Sequence, residues 1–135
     1  MIVVDSPEKM AQVNAADKLF CRFRMEGCPY CVDTQADWDQ MGAVAERSLA
    51  PGAVIAEIEA KMAPLFRASM PNGAAYSVNQ FPTISVFRKG VFRGEKDARK
   101  KNALLQVLRN LGFMKKATGR KRKPVRKTMR RTKRR

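Results

Sequence analysis

Two cysteines separated by two residues, Cys28-Pro29-Tyr30-Cys31, follow an apolar run from Lys18 to Met25 and open a helix-compatible stretch. This spacing suits thiol–disulfide chemistry, because the pair can close a small disulfide ring or present a dithiol. A first sulfur at a strand-to-helix junction sits among N–H groups without intrahelical partners. Those donors and the helix dipole favour thiolate over thiol. Pro29 fits the first helical turn, where it loses no hydrogen bond, and its fixed φ stiffens the ring. The rival chemistry is half of a zinc site. The chain has no histidine and only one further cysteine, Cys21, so four ligands would need carboxylates or a second chain. No metal and no cofactor is expected.

The elements that must hold this pair can be read on either side of it. Ile2-Val3-Val4 is a short strand, with Asp5 or Ser6 as N-cap and Pro7 in the first turn of a helix running to about Ala15. Lys18 to Met25 is a second strand, and the cysteine motif starts a helix through about Ala45. After the break at Pro51-Gly52, Ala53 to Glu59 forms a third strand. Lys61 to Ser69 is helical with Pro64 near its start, and Pro71-Asn72-Gly73 is a turn or helix entry. Thr83 to Arg88, a turn at Lys89-Gly90, and Val91 to Arg93 form a hairpin. The last helix is expected to begin near Lys96. Leu104, Val107, Leu108 and Leu111 give it one apolar face, and Gly112 caps its end. Alternation followed by a hairpin implies an α/β fold, a mixed sheet with helices on both faces.

Composition fixes the scale. The 135 residues, 44% of them hydrophobic, suit one domain with an appendage. The net charge of +16 is unevenly placed: residues 115–135 hold 13 of the 28 Lys and Arg, while all 12 acids lie before residue 98. Residues 1–114 carry a net charge of only +3. The expected division is therefore a domain over 1–113 and a basic tail over 114–135. Three cysteines are too few for a secreted disulfide framework. The first residues lack a secretory-signal pattern, and no apolar run approaches a membrane span, so an intracellular protein without membrane association is expected.

Two separated motifs carry a family resemblance. Cys28-Pro29-Tyr30-Cys31 is identical to the active-site tetrapeptide of dithiol glutaredoxins, and Tyr76-Ser77-Val78-Asn79-Gln80-Phe81-Pro82-Thr83-Ile84 resembles the cis-proline segment of protein disulfide isomerase domains. Residues 2–112 thus resemble the thioredoxin superfamily. The resemblance implies a thioredoxin fold with Cys28 as exposed nucleophile and Cys31 as resolving thiol. It also implies a cis Phe81–Pro82 bond whose backbone aligns an extended substrate; otherwise Pro82 is an ordinary strand-edge proline. Tyr30 would shape the opening beside Cys28 or simply pack there. The surroundings are more similar to a disulfide isomerase or thioredoxin domain than to a glutaredoxin. Phe81 replaces the usual Val, no Gly-Gly-Ser/Thr-Asp segment follows Arg88, and Met25 stands where a lysine is usual. These departures argue against glutathione as a dedicated cosubstrate.

The same resemblance exposes a reversal of charge. Where thioredoxins carry a buried acid six residues before the first active-site cysteine, this chain has Arg22, and Glu57 matches the usual lysine on the adjacent strand. A partly buried Arg22–Glu57 ion pair is expected. Glu57 would relay the proton of Cys31, or the pair would simply neutralise each other or snorkel to solvent. Cys21 reads as a small buried hydrophobe, Trp38 and Met41 as core, and Asp33, Asp37 and Asp39 as a solvated surface.

The tail concentrates Arg120, Lys121, Arg122, Lys123, Arg126, Lys127, Arg130, Arg131, Lys133, Arg134 and Arg135 with no acid and no aromatic. Alone it would be disordered. It can bind phosphates without sequence preference, reads as a nuclear-localisation pattern, or is a plain solvated segment. The expected function is thiol–disulfide exchange on protein cysteines, with the tail holding nucleic acid or an acidic protein surface. The second reading is non-enzymatic: a structural virion or minor capsid component of a large DNA virus, with capsid proteins as neighbours and the tail as anchor. Nuclear or virion localisation would follow from these readings.

Overall fold

The computed structural model describes residues 1–70 and 77–115. The turn expected at Pro71-Asn72-Gly73, residue Tyr76 of the second motif, and the tail beyond Lys115 lie outside the described residues. Five strands, β1 (Ile2–Val4), β2 (Lys18–Arg24), β3 (Ala53–Glu59), β4 (Thr83–Arg88) and β5 (Val91–Lys96), form one sheet in the order β1-β3-β2-β4-β5. The β1/β3 and β2/β3 pairs are parallel, whereas β4 runs antiparallel to both β2 and β5. The mixed sheet and the order of its main elements follow the expected alternation. Two short 3-10 segments, Glu46–Ser48 and Ala60–Met62, add to it.

Among the described residues, four helices cover the two faces: α1 (Pro7–Asn14), α2 (Pro29–Ala45), α3 (Ala63–Ser69) and α4 (Lys101–Asn110). The period-two alternation of the strands sorts the core. Leu19, Cys21, Phe23, Ala56 and Ile58 meet Met10, Val13 and Phe66 of α1 and α3. Phe20, Ala53 and Ile55 meet Trp38, Met41, Leu104 and Leu108 of α2 and α4. By the same alternation Arg22 and Glu57 fall on the α2 side. Directly paired across β2 and β3, they lie beneath the helix that begins at the cysteine motif.

The start of the last helix requires a correction. Strand β5 continues to Lys96, pairing Lys96 with Ile84, and α4 begins only at Lys101. A register shift between Val86 and Phe87, with Gly94 at φ 132°, keeps the strand paired past the short apolar segment that marked it in sequence. Asp37 also differs from its expected role as part of a solvated surface. Its Oδ1 accepts the backbone N–H of Lys101 at 2.9 Å, capping α4 from another helix. Gly112 has φ 78° and follows the last turn of α4, as expected of a C-terminal glycine. Backbone pairing then continues to Met114, bridged to Leu49, and to Lys115, whose N–H donates to Ser48 at 2.6 Å.

Candidate active site

Strand β2 ends at Arg24, and a turn carries the chain to Cys28. The Cys28 N–H donates to the Met25 carbonyl at 3.2 Å, while Gly27 at φ 80° supplies the left-handed step that a side chain would strain. Cys28 is the extended N-cap of α2 and Pro29 opens its first turn. The Cys28 Sγ accepts the backbone N–H of Cys31 at 3.2 Å, so the sulfur takes the place of a capping oxygen.

The two thiols differ. Hydrogen bonding from the Cys31 thiol lowers the Cys28 pKa from the ordinary thiol range, helped by the N–H groups of Cys31 and Tyr30 and the positive charge of Arg22. Burial raises that of Cys31, and its thiol's hydrogen bond to Cys28 adds to this. Cys28 is half-buried, whereas Cys31 is 2% exposed. One sulfur is therefore the more acidic and more accessible, and its neighbour the better protected. Cys21, fully buried on the other face of the sheet, is pushed well above the ordinary thiol range by desolvation.

Across the gap, the Phe81–Pro82 peptide bond is cis. The Phe81 carbonyl lies 3.5 Å from Cys28 Sγ, in position to accept a hydrogen bond from the thiol. Beside this contact opens a cavity of about 490 Å³ bordered by Tyr30, Phe81 and Pro82, with Trp38 and Arg22 also lining it. Arg99, from the segment between β5 and α4, lies over the Tyr30 ring at 4.6 Å from its centroid and pairs with Asp97 at 3.2 Å. Tyr30 is thus held in place at the mouth of the cavity.

Beneath the motif, Arg22 and Glu57 are 1% and 4% exposed, so their ion pair is buried rather than partly buried. Arg22 Nη1 donates to Glu57 and, at 2.9 Å, to Gln35 Oε1. Its Nη2 donates to the Cys31 carbonyl at 2.7 Å and to Thr34 Oγ1 at 2.8 Å. The guanidinium therefore clips the first turns of α2 to two strands. The Glu57 carboxylate also accepts from Gln35 Nε2 at 3.0 Å and lies 3.7 Å from Arg24 Nε. Its recorded bonds run to these groups and to neither cysteine.

Cys28, Pro29, Tyr30, Cys31, Arg22, Glu57, Phe81 and Pro82 therefore gather at one end of the sheet. Arg120 through Arg135 lie outside the described residues. Sequence reasoning missed Thr34, Gln35 and Arg99. The first two had a readable signal: three and four residues after Cys31, they share its helix face. Arg99 had none, because a long-range approach brings it to Tyr30. Among the described residues no group of three or more metal-ligating side chains is assembled.

No protein-family model matches the sequence, and no curated protein is similar enough to match. Solved structures do match. The chain is similar to the first thioredoxin domain of mouse protein disulfide-isomerase A4, at 16% identity and a TM-score of 0.64, over 90% of this chain and 82% of that one. It is also similar to the zinc-bound form of human ERp44, at 18% identity and a TM-score of 0.63, over 81% of this chain. This alignment covers 30% of the ERp44 chain. Oxidised thioredoxin from Plasmodium falciparum matches at 12% identity and a TM-score of 0.59, over 83% of this chain and 98% of that one. With the sheet order, the cis Phe81–Pro82 bond and the Cys28/Cys31 pair at the start of α2, these likenesses establish that the chain has the thioredoxin fold.

Proposed function

We propose that the protein is a thiol–disulfide oxidoreductase acting on protein cysteines through the Cys28/Cys31 couple, with its basic tail holding nucleic acid or an acidic assembly. One observation carries the redox reading: Cys28 Sγ caps α2 at 3.2 Å from the Cys31 N–H while facing the Phe81 carbonyl at 3.5 Å. An accessible, acidified sulfur beside the half-buried Phe81–Pro82 backbone suits attack on an extended polypeptide.

In the reductive direction, the Cys28 thiolate attacks a substrate disulfide. A bond forms from Cys28 to one substrate sulfur, the substrate S–S bond breaks, and the departing thiolate takes a proton. Cys31 then loses its proton and attacks Cys28, releasing the second substrate thiol and closing the Cys28–Cys31 disulfide. The substrate gains two electrons and two protons overall, and an external dithiol restores the couple. Substrate oxidation follows the same steps in reverse. Phe81, Pro82, Pro29 and Tyr30 position the substrate around Cys28.

Glu57 is open to two roles, relaying the Cys31 proton or fixing Arg22. Its bonds to Arg22 and Gln35 support the second, with Arg22 in turn fixing the Cys31 carbonyl. Both are buried positioning residues in this account, and Arg22 contacts substrate only if a side chain reaches the cavity floor.

Insulin-disulfide reduction with a dithiol donor tests both levels. The wild type is expected to accelerate it and Cys28→Ser to leave the background rate; equal rates would remove the enzyme reading. Glu57→Gln is expected to retain the shape of the pH profile if Glu57 positions Arg22. A loss confined to the pH range where Cys31 must release its proton would instead identify a relay. The tail is proposed from charge alone, since 13 cations in residues 115–135 have no acid among them.

A further inference from the structure

The strands run between two poles. At one, Arg24 pairs with Glu59 and the chain turns to Cys28; at the other, Lys18 pairs with Ala53 on one side and Arg88 on the other. A rise of about 3.3 Å per residue separates these poles by roughly 20 Å. At the Lys18 pole, Asp17, Lys18, Arg88, Lys89, Val91 and Arg93 surround an open cavity of about 520 Å³.

Four of these six residues are cations, and among the described residues none of the four forms an ion pair with a carboxylate. Two are anchored by the end of α4: Lys18 Nζ donates to the Gly112 carbonyl at 2.7 Å, and Arg88 Nη2 donates to the Leu111 carbonyl. The partial negative charge of a helix C-terminus favours cations there, and each keeps further N–H donors for a ligand. Lys89 and Gly90 have φ 50° and 79°, the left-handed pair of a tight hairpin turn, and the Lys89 side chain is exposed. Arg93 is exposed on the neighbouring strand. Asp17, the single acid, lies against Gly52.

The described chain ends at this same pole. Lys115 donates to Ser48, Phe113 accepts from Ala50, and the following Gly52 accepts from Lys18. Residues 116–135 carry 12 more cations, the same sign of charge as the cavity. Four of its six lining residues carry positive charge, which favours an anionic occupant. A duplex backbone offers about one anion per 1.7 Å of its axis and can engage this cavity and the tail together.

We infer that Lys18, Arg88, Lys89 and Arg93 form a phosphate-backbone site for duplex nucleic acid, at the pole where the described residues end and opposite Cys28. The inference rests on the nucleic-acid reading proposed for this protein. It assigns part of the binding to the folded body and leaves the cysteine pair open to a protein substrate while nucleic acid is held.

Binding of the full chain to a mixed-sequence DNA duplex, measured by fluorescence anisotropy over a salt series, tests it. Lys89→Gln/Arg93→Gln alters two exposed side chains, and circular dichroism checks that the fold is kept. The double variant is expected to flatten the slope of log K against log salt by roughly 1.8, at about 0.9 per phosphate contact. A full-length variant with Arg120, Lys121, Arg122 and Lys123 changed to Gln is expected to flatten it further while remaining sensitive to the body substitutions. Wild-type slope and affinity in the body variant would overturn the inference and leave the tail reading standing. An unchanged tail variant beside a weakened body variant would overturn the tail reading alone, and no wild-type binding would overturn both. Equal displacement by polyglutamate, charge for charge, would overturn the choice of phosphate.

Discussion

A thiol attacks as its thiolate, so the sulfurs of Cys28 and Cys31 are divided by their surroundings. Cys28 is acidified first by the Cys31 thiol and then by N–H groups at the start of α2; Cys31 is held protonated by burial. Alkylation of Cys28 is therefore expected to titrate with a midpoint below the ordinary thiol range, slowing as pH falls through that midpoint. Cys31→Ala should move the midpoint upward by removing the strongest hydrogen bond. Iodoacetamide labelling followed by mass spectrometry checks this residue by residue, with Cys21 silent throughout. A Cys28 midpoint at or above the ordinary range would contradict the assignment. The sequence placed this pair well because sulfur spacing and a strand-to-helix junction are both local. It placed Arg22 opposite Glu57 because strand pairing follows from two recognisable apolar runs. It did not show that the guanidinium would reach the Cys31 carbonyl and Thr34, since that depends on how closely α2 settles on the sheet.

Elements were legible where their signals were local and repetitive. The third strand has the same limits in sequence and structure, because Pro51-Gly52 marks its start and alternation carries it to Glu59. The start of α4 was illegible because its cap is supplied from 64 residues away, by Asp37. Lys100, the residue at the N-cap position, makes no side-chain capping bond. Asp37→Ala removes an acceptor and a negative charge from the N-terminus of α4. It is expected to destabilise the protein by about 1 kcal/mol, lowering the urea midpoint without changing the slope. Asp33→Ala, on the same helix and without such a recorded bond, is the control. Equal effects from the two would remove the capping account.

Over the whole molecule, the thioredoxin fold sets two residue clusters at opposite ends of one sheet. The parallel strands deliver the chain to Cys28 at one pole, while the hairpin turn and the end of α4 gather Lys18, Arg88, Lys89 and Arg93 at the other. Charge counting located the basic excess in the tail but passed over this second cluster, because its members are 70 residues or more apart except within the hairpin. No helix among the described residues is long and apolar enough to cross a membrane. In the proposed reaction, Cys28 exchanges disulfides with protein substrates and Cys31 resolves the mixed disulfide. The most direct measurement is a trap: Cys31→Ser incubated with a disulfide-containing protein, followed by non-reducing electrophoresis and peptide mapping. A mixed disulfide joined at Cys28 is expected to persist in Cys31→Ser and to be cleared in the wild type. No adduct, or one joined at Cys21, would contradict it.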